Sequence, residues 1–267
     1  AQRRVAEAQM REAELAGVAL KGEHKARFEA IQLELGALST SFSNNVLDAT
    51  KGFTRVVTAA AEVAGLPLSA LELAAQSAVA AGHAEATAAD GPWALTLDGP
   101  SFLSTMKHAS SRAVREEVYR AYVTRASAGE SDNLPLIVQM LGLRHEMASL
   151  LGFEHYAAVS LASKAATLVG ATELLSELRA AALEPARREH AELEAFARDH
   201  GANHALRQWD VAYFAERMVE ERFDLEEEAL RSFFPLENVL GGLFALCERL
   251  FDVTITSADG EAPVWHE

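Results

Sequence analysis

Between Arg27 and Thr50 the chain sets apolar residues at Phe28, Ile31, Leu35, Leu38, Phe42 and Val46. Steps of three and four residues put them on one stripe of an α-helix, which predicts a long helix over residues 23–48. The same turns carry Ser39, Thr40, Ser41, Ser43, Asn44 and Asn45. Such side chains compete with the backbone for hydrogen bonds and are weak helix formers. A helix that keeps them needs tertiary packing, and a hydrogen-bonded polar seam is expected along it.

The remaining pattern reads mostly as further helices. Residues 2–16 form a short one, closed by Gly17. Residues 54–58 are β-branched and residues 93–98 alternate between Gly-Pro pairs, so both read as short strands. Ser69 is the expected N-cap of an Ala-rich helix that Gly82 stops. Residues 101–108 form a short helix. Ser111 caps the next, to about Ala126, with Val114, Val118, Ala121 and Tyr122 inward. Asn133 caps a helix with Pro135 in its first turn. Ile137, Val138, Leu141 and Met147 face inward there, and Gly152 ends it. Residues 154–166 are a short helix and loop, and residues 171–200 are helical with an interruption or kink at Pro185. Helices over 209–219, 226–233 and 236–250 follow. The last has a wide apolar face of Leu240, Leu243, Phe244, Leu246 and Leu250. Residues 252–256 read as a strand and Val264-Trp265 as the start of another. The expected fold class is therefore all-α, mainly helical with a few short strands. The weakest joints are residues 82–92 and 200–208.

Composition narrows the class. The 267 residues are 49% hydrophobic, enough for a sizeable core, and no apolar run is long enough to span a bilayer. A net charge of −15 argues against nucleic acid and suits plain solubility or a cationic ligand. The single cysteine, Cys247, excludes an internal disulfide and lies in an apolar stretch, so it reads as a buried, inert thiol. The first residue is Ala1, and the opening segment mixes Glu with Arg, unlike a targeting peptide. Either a presequence has been removed or the sequence starts within a longer protein.

Candidate chemistry is sparse. The stretch from His145 to Ser149 begins like a zinc-binding HExxH helix, but Ser149 stands where the second imidazole is needed. His145 reads instead as a surface or interface histidine. His200 and His204 have the right separation, but Gly201 and Asn203 break the helix that would align them. Glu226, Glu227 and Glu228 suit a solvated helix start. Arg112, Arg115, Arg120 and Arg125 read as spread around a helix among acids rather than as a phosphate stripe. Tyr119 and Tyr122 read as core and rim. From these residues alone, the function stops at an acidic helical domain.

A resemblance carries the reading further. Residues 38–50 are similar to a hallmark of the thimet oligopeptidase family of zinc metallopeptidases, in its oligopeptidase A-like form. So are the blocks Arg27-Phe28-Glu29, Leu95-Thr96-Leu97-Asp98, Pro100-Ser101-Phe102-Leu103 and Thr124-Arg125-Ala126-Ser127. The stretches 115–122, 150–157 and 209–214 and Gly242-Leu243-Phe244 continue the likeness in order along the chain. Segments 82–93 and 258–265 resemble the plant-type organellar branch most. The resemblance implies hydrolysis of short peptides in a channel between two mainly helical halves. It also implies Zn2+ held by HExxH and a downstream Glu, with the motif Glu as general base on zinc-bound water. This sequence contains no HExxH, so no catalytic or metal-binding residue transfers to any position here, and substrate-binding residues stay unassigned. The implied organisation is a helical channel wall over 1–257 and the start of a connection to the catalytic half over 258–267. That catalytic half and short peptides are the implied partners, with no nucleic acid and no membrane. An apolar patch is expected where the other half docks, from helix 236–250 and Val264-Trp265. The implied compartment is chloroplast or mitochondrion, with cytosol as the alternative. An acidic channel would concentrate Arg-rich targeting peptides. The other function class left open is a non-catalytic peptide-binding or scaffold protein derived from the family.

Overall fold

The computed structural model describes residues 2–225 and 227–264 and is mainly helical, with two short strands among them. The chain divides into two compact units, Ala1–Glu216 and Arg217–Glu267. The division falls inside a helix rather than at 82–92 or 200–208. The first of those segments is tied down: Thr87 and Gly91 exchange backbone hydrogen bonds, and the Trp93 indole donates to the Ala88 carbonyl at 3.1 Å.

Unit one begins with α1 (Gln2–Leu15) and α2 (Gly22–Lys51). Gly17 joins them with φ +80 and lies against the Phe28 ring, where a Cβ would sit 2.7 Å from a ring carbon. The α2 stripe is real. Phe28 and Ile31 are buried against Leu143 and Met147 of α6 (Leu134–Leu150), with Leu35 and Leu38 half-buried beside them. The polar seam is narrower than its composition suggests. Ser39, Thr40, Ser41, Ser43 and Asn44 are exposed, and Thr40 and Ser43 donate to carbonyls four residues back in their own helix. Contacts to other segments come from Asn45, whose amide donates to Asn133 Oδ1 at 2.9 Å, and from Thr50, which accepts from Arg125 at 3.1 Å.

Two expectations for α6 are corrected. Asn133 precedes the helix, but its side chain does not cap it. It donates to the Phe42 carbonyl at 3.1 Å, while Asp132 takes the Leu134 N–H at 2.9 Å. Ile137, Val138 and Leu141 are exposed, and the buried positions are Leu143, Met147 and Ala148. The run from Leu134 to Leu143 is apolar on nearly every side, so periodicity could not choose its face.

The main core lies further along. β1 (Thr54–Val57) and β2 (Trp93–Thr96) form an antiparallel pair, with Val57 opposite Trp93 and Thr54 opposite Thr96. Val57, Trp93, Leu95 and Leu97 pack with α3 (Leu68–Ala80), α4 (Gly99–His108) and α5 (Arg112–Val123). From α5 come Val114 and Val118, both fully buried. Ser111 caps α5 by accepting from the Val114 N–H, as its position predicts. Ser69 is no cap: it lies inside α3, which starts at Leu68 after Pro67. Ser101 lies inside α4, and its hydroxyl accepts the Thr96 N–H at 3.0 Å, joining helix to strand. Gly65, at φ +88, lets the chain pass so close to the His108 carbonyl that a Cβ would sit 2.3 Å from it.

α7 (Tyr156–Ala162) and α8 (Leu168–Asp199) follow. α8 continues through Pro185 instead of stopping, so the helix goes without one backbone donor there. Its first half leaves Leu168, Val169, Leu174, Leu175 and Leu178 exposed. The opening turns of α9 (Gln208–Phe223) complete unit one.

Unit two holds the rest of α9, the short α10 (Glu227–Leu230) with a 3-10 turn over Arg231–Phe233, and α11 (Leu236–Phe251). The expected 226–233 helix is thus split, and Glu226 lies outside the described residues. Cys247 is half-buried rather than buried. Residues 252–256 form no strand. Asp252, in the left-handed region at φ 52, turns the chain off α11, and no strand lies beside it among the described residues. A β-pattern without a neighbour cannot make a ladder. Val264 is likewise in no strand, and Trp265 lies outside the described residues.

Candidate functional site

The densest polar centre of unit one sits where α9 begins. Asp210 is 0% exposed. Arg112 donates to it through Nε and Nη2 at 3.0 Å, Arg115 through Nη2 at 3.1 Å, and the Arg207 backbone N–H at 3.0 Å. Arg115, itself buried, also donates to the carbonyls of Ala109 and Trp209 at 2.7 and 2.9 Å. Arg112 and Arg120 both lie over the Trp209 ring, at 5.4 and 4.8 Å from its centre. Arg115 lies 4.1 Å over Tyr213.

The electrostatics follow from this geometry. Burial alone would raise the Asp210 pKa, but the hydrogen bonds from Arg112, the Arg207 backbone and Arg115 outweigh it and hold the carboxyl below its ordinary range. Burial also pulls Arg115 down, against the opposing pull of Asp210. Both remain charged near neutrality, because an arginine starts so high. A carboxylate offers about four lone-pair directions, and here those are taken by fixed donors. Asp210 is therefore a poor proton acceptor and a good anchor, joining α9 to α5 and to the turn before it.

Sequence reasoning missed this centre. Arg112 and Arg115 are three residues apart and so share one helix face, contrary to the reading of four arginines spread around it. Arg125 does stand apart, donating to the Tyr122 carbonyl and to Thr50. Tyr122, read as core or rim, stacks on Phe102 at 3.8 Å.

His145, His200 and His204 belong to no metal-binding group among the described residues. His145 is exposed on α6. Its neighbour Glu146 is engaged by Arg27 of α2 through two bonds of 2.6 Å, which hold that carboxyl below its usual range. His200 ends α8, stacked on Phe196 with Nδ1 2.8 Å from that residue's carbonyl. Gly201 follows at φ +88. His204 turns Nδ1 toward the Ala205 carbonyl at 3.2 Å. It borders an open depression of about 390 Å³ lined by Glu194, Arg198, Asn203 and Leu206 among others. Among the described residues no group of three or more His, Cys, Asp or Glu side chains could hold a metal ion. The donor set of the described residues does not fit zinc.

Comparison with known proteins fits these observations. A protein of Arabidopsis thaliana named probable cytosolic oligopeptidase A is 49% identical over the whole chain, which covers 38% of that relative. Organellar oligopeptidase A, chloroplastic/mitochondrial, of the same plant is also 49% identical over the whole chain, covering 34% of it. Oligopeptidase A of Salmonella typhimurium is 40% identical, again over all of this chain and 39% of its own length. The chain thus spans less than two fifths of the length of these relatives. Residues 105–267, which include the Asp210 centre, match the description "Peptidase family M3". With that match across more than half its length, the chain belongs to peptidase family M3.

Proposed function

We propose that this chain is the amino-side portion of an oligopeptidase A-like zinc metalloendopeptidase that degrades short peptides, cleaved organellar targeting peptides among them. The observation that carries the reading is the 49% identity running through every part of the chain while the relatives extend far beyond it. The ordered Asp210 anchor and the two cores supply a stable scaffold, while unit two presents apolar helix faces for cover. In this reading residues 1–257 form a wall of the peptide channel, and residues 258–267 lead toward a catalytic half that holds the Zn2+. The net charge of −15 suits Arg-rich peptides as substrates. Chloroplast, mitochondrion and cytosol all stay open as compartments, because the two plant relatives are equally similar.

The test is the cleavage of a quenched fluorescent peptide with zinc present. The 267-residue chain is expected to be inactive, and the polypeptide read from the full coding sequence is expected to be active and chelator-sensitive. A downstream HExxH in that sequence supports the enzyme. Chelator-sensitive turnover by the 267 residues alone overturns the reading. A coding sequence that stops without such a motif leaves the non-catalytic peptide binder.

A further inference from the structure

An aspartate followed by glycine carries a reaction latent in its own backbone. The glycine nitrogen is nucleophilic enough to attack the aspartate Cγ, and no Cβ on the glycine crowds the approach. The chain has three such pairs: Asp90-Gly91, Asp98-Gly99 and Asp259-Gly260. Their surroundings differ in what they leave free.

In the first pair the nucleophile is engaged. The Gly91 N–H donates to the Thr87 carbonyl at 3.0 Å, and the Gly91 carbonyl accepts from the Thr87 N–H at 3.1 Å. Turning that nitrogen toward Cγ breaks the bridge. In the second pair the electrophile is engaged. Lys51 Nζ donates to Asp98 Oδ1 at 2.8 Å, and Thr96 Oγ1 donates to Oδ2 at 3.3 Å. The Lys51 bond leads in holding that carboxyl below its usual range, and a carboxylate that keeps its charge sheds an oxygen poorly. Gly99 also opens α4, which fixes its peptide plane.

The third pair has neither restraint. Gly260, at φ +81, sits in a turn closed by the Glu261 N–H on the Ala258 carbonyl at 3.0 Å. Among the described residues the Gly260 N–H has no acceptor, and residues 257–261 are all exposed. The Ser257 hydroxyl donates to Asp259 Oδ2 at 2.6 Å. That bond draws electron density from Cγ and places a proton beside an oxygen that has to leave.

We propose that Asp259-Gly260 is a site of spontaneous backbone isomerisation, at which aspartate becomes isoaspartate. The Gly260 nitrogen bonds to Asp259 Cγ as a Cγ–O bond breaks. The amide proton leaves with the carboxyl hydroxyl as water, and a five-membered imide remains. Water then adds at the carbonyl that belonged to the main chain, and the bond from that carbon to the Gly260 nitrogen breaks. The chain now runs through Cγ, one carbon longer, and the old main-chain carbonyl is a free carboxylate. Such a carboxylate is the substrate of methyltransferases that esterify isoaspartyl residues with S-adenosylmethionine.

The test ages the polypeptide encoded by the full coding sequence at neutral pH, folded and in urea. Each sample is labelled by an isoaspartyl methyltransferase with radioactive S-adenosylmethionine, and its peptides are separated by mass spectrometry. In the folded sample the peptide holding Asp259 is expected to gain label and a second peak of unchanged mass. It should do so at least about fivefold faster than the Asp90 and Asp98 peptides, the weight of one hydrogen bond that those sites must first break. In urea the three rates should converge, and Gly260→Ala should slow the Asp259 peptide in both samples. Equal rates at the three sites of the folded polypeptide overturn the proposal. So does an Asp259 peptide that stays unlabelled when folded but reacts in urea, and so does a rate that Gly260→Ala leaves unchanged.

Discussion

Helices α5 and α11 are comparably amphipathic by sequence, and their fates differ. On α5 the apolar stripe, Val114 and Val118, is fully buried against strands, and Arg115 behind it is buried as well. On α11 every large residue of the stripe is exposed, with Leu243 at 50%. The same periodicity thus produced a finished core in one unit and an open face in the other. Amphipathic patterning states that a face needs cover, and the identity of the cover is a non-local fact. Among the described residues, unit one contains both sides of its core, whereas α11 of unit two presents an exposed apolar face.

The largest effect is expected at the polar anchor of unit one. Asp210→Ala leaves Arg115 buried without its partner, and removal of one member of a buried pair costs ~3–5 kcal/mol. Urea unfolding of the 267-residue chain should show that loss, and a change below about 1 kcal/mol would mean that the anchor is dispensable. Asp210 also gives the anchor a pH dependence of definite sign. Its folded pKa is lowered, so its contribution is complete above the unfolded value near ~4 and disappears as pH falls through the folded value. Wild type should therefore lose stability on acidification below that point, and Asp210→Ala should lose less.

A smaller effect is expected in the apolar core. Val118→Ala deletes two methyl groups from a fully buried position, for ~2 kcal/mol by the same unfolding measurement. The smallest effect is expected on α11. Leu243→Ala on α11 should change the stability of the 267-residue chain by no more than ~0.5 kcal/mol, because its side chain is already half in water. In the longer polypeptide the same substitution should approach the core value. A large loss in the short chain would show that α11 has cover within these residues after all.

Much of the fold was legible because local signals agreed. The Ser111 cap, the 54–57 and 93–96 strands and the Phe28–Ile31 stripe each combine a propensity with a period, and each is present. Misreadings came where one signal stood alone. Leu134 to Leu143 is apolar all round, so its pattern does not select an inward face. Asn133 sits at a cap position, but a longer-range partner, Asn45, takes its side chain. Residues 252–256 have strand propensity, and no strand pairs with them among the described residues. The Asp210 centre joins residues nearly a hundred positions apart, and only the three-residue spacing of Arg112 and Arg115 hinted at it. The family was legible from ordered blocks, which report ancestry and leave the chemistry of a site unstated.

The pairing of α2 with α6 has one further consequence. Arg27 grips Glu146 near one end of the contact, and Asn45 grips Asn133 near the other, with Phe28 and Ile31 seated between. Sliding by one helical turn, ~5.4 Å, would have to release both grips and unseat the ring together. Two fasteners at opposite ends of a shaft leave it no low-cost intermediate stop. This pair therefore behaves as a rigid strut, and any change in shape that the protein undergoes has to bend around it.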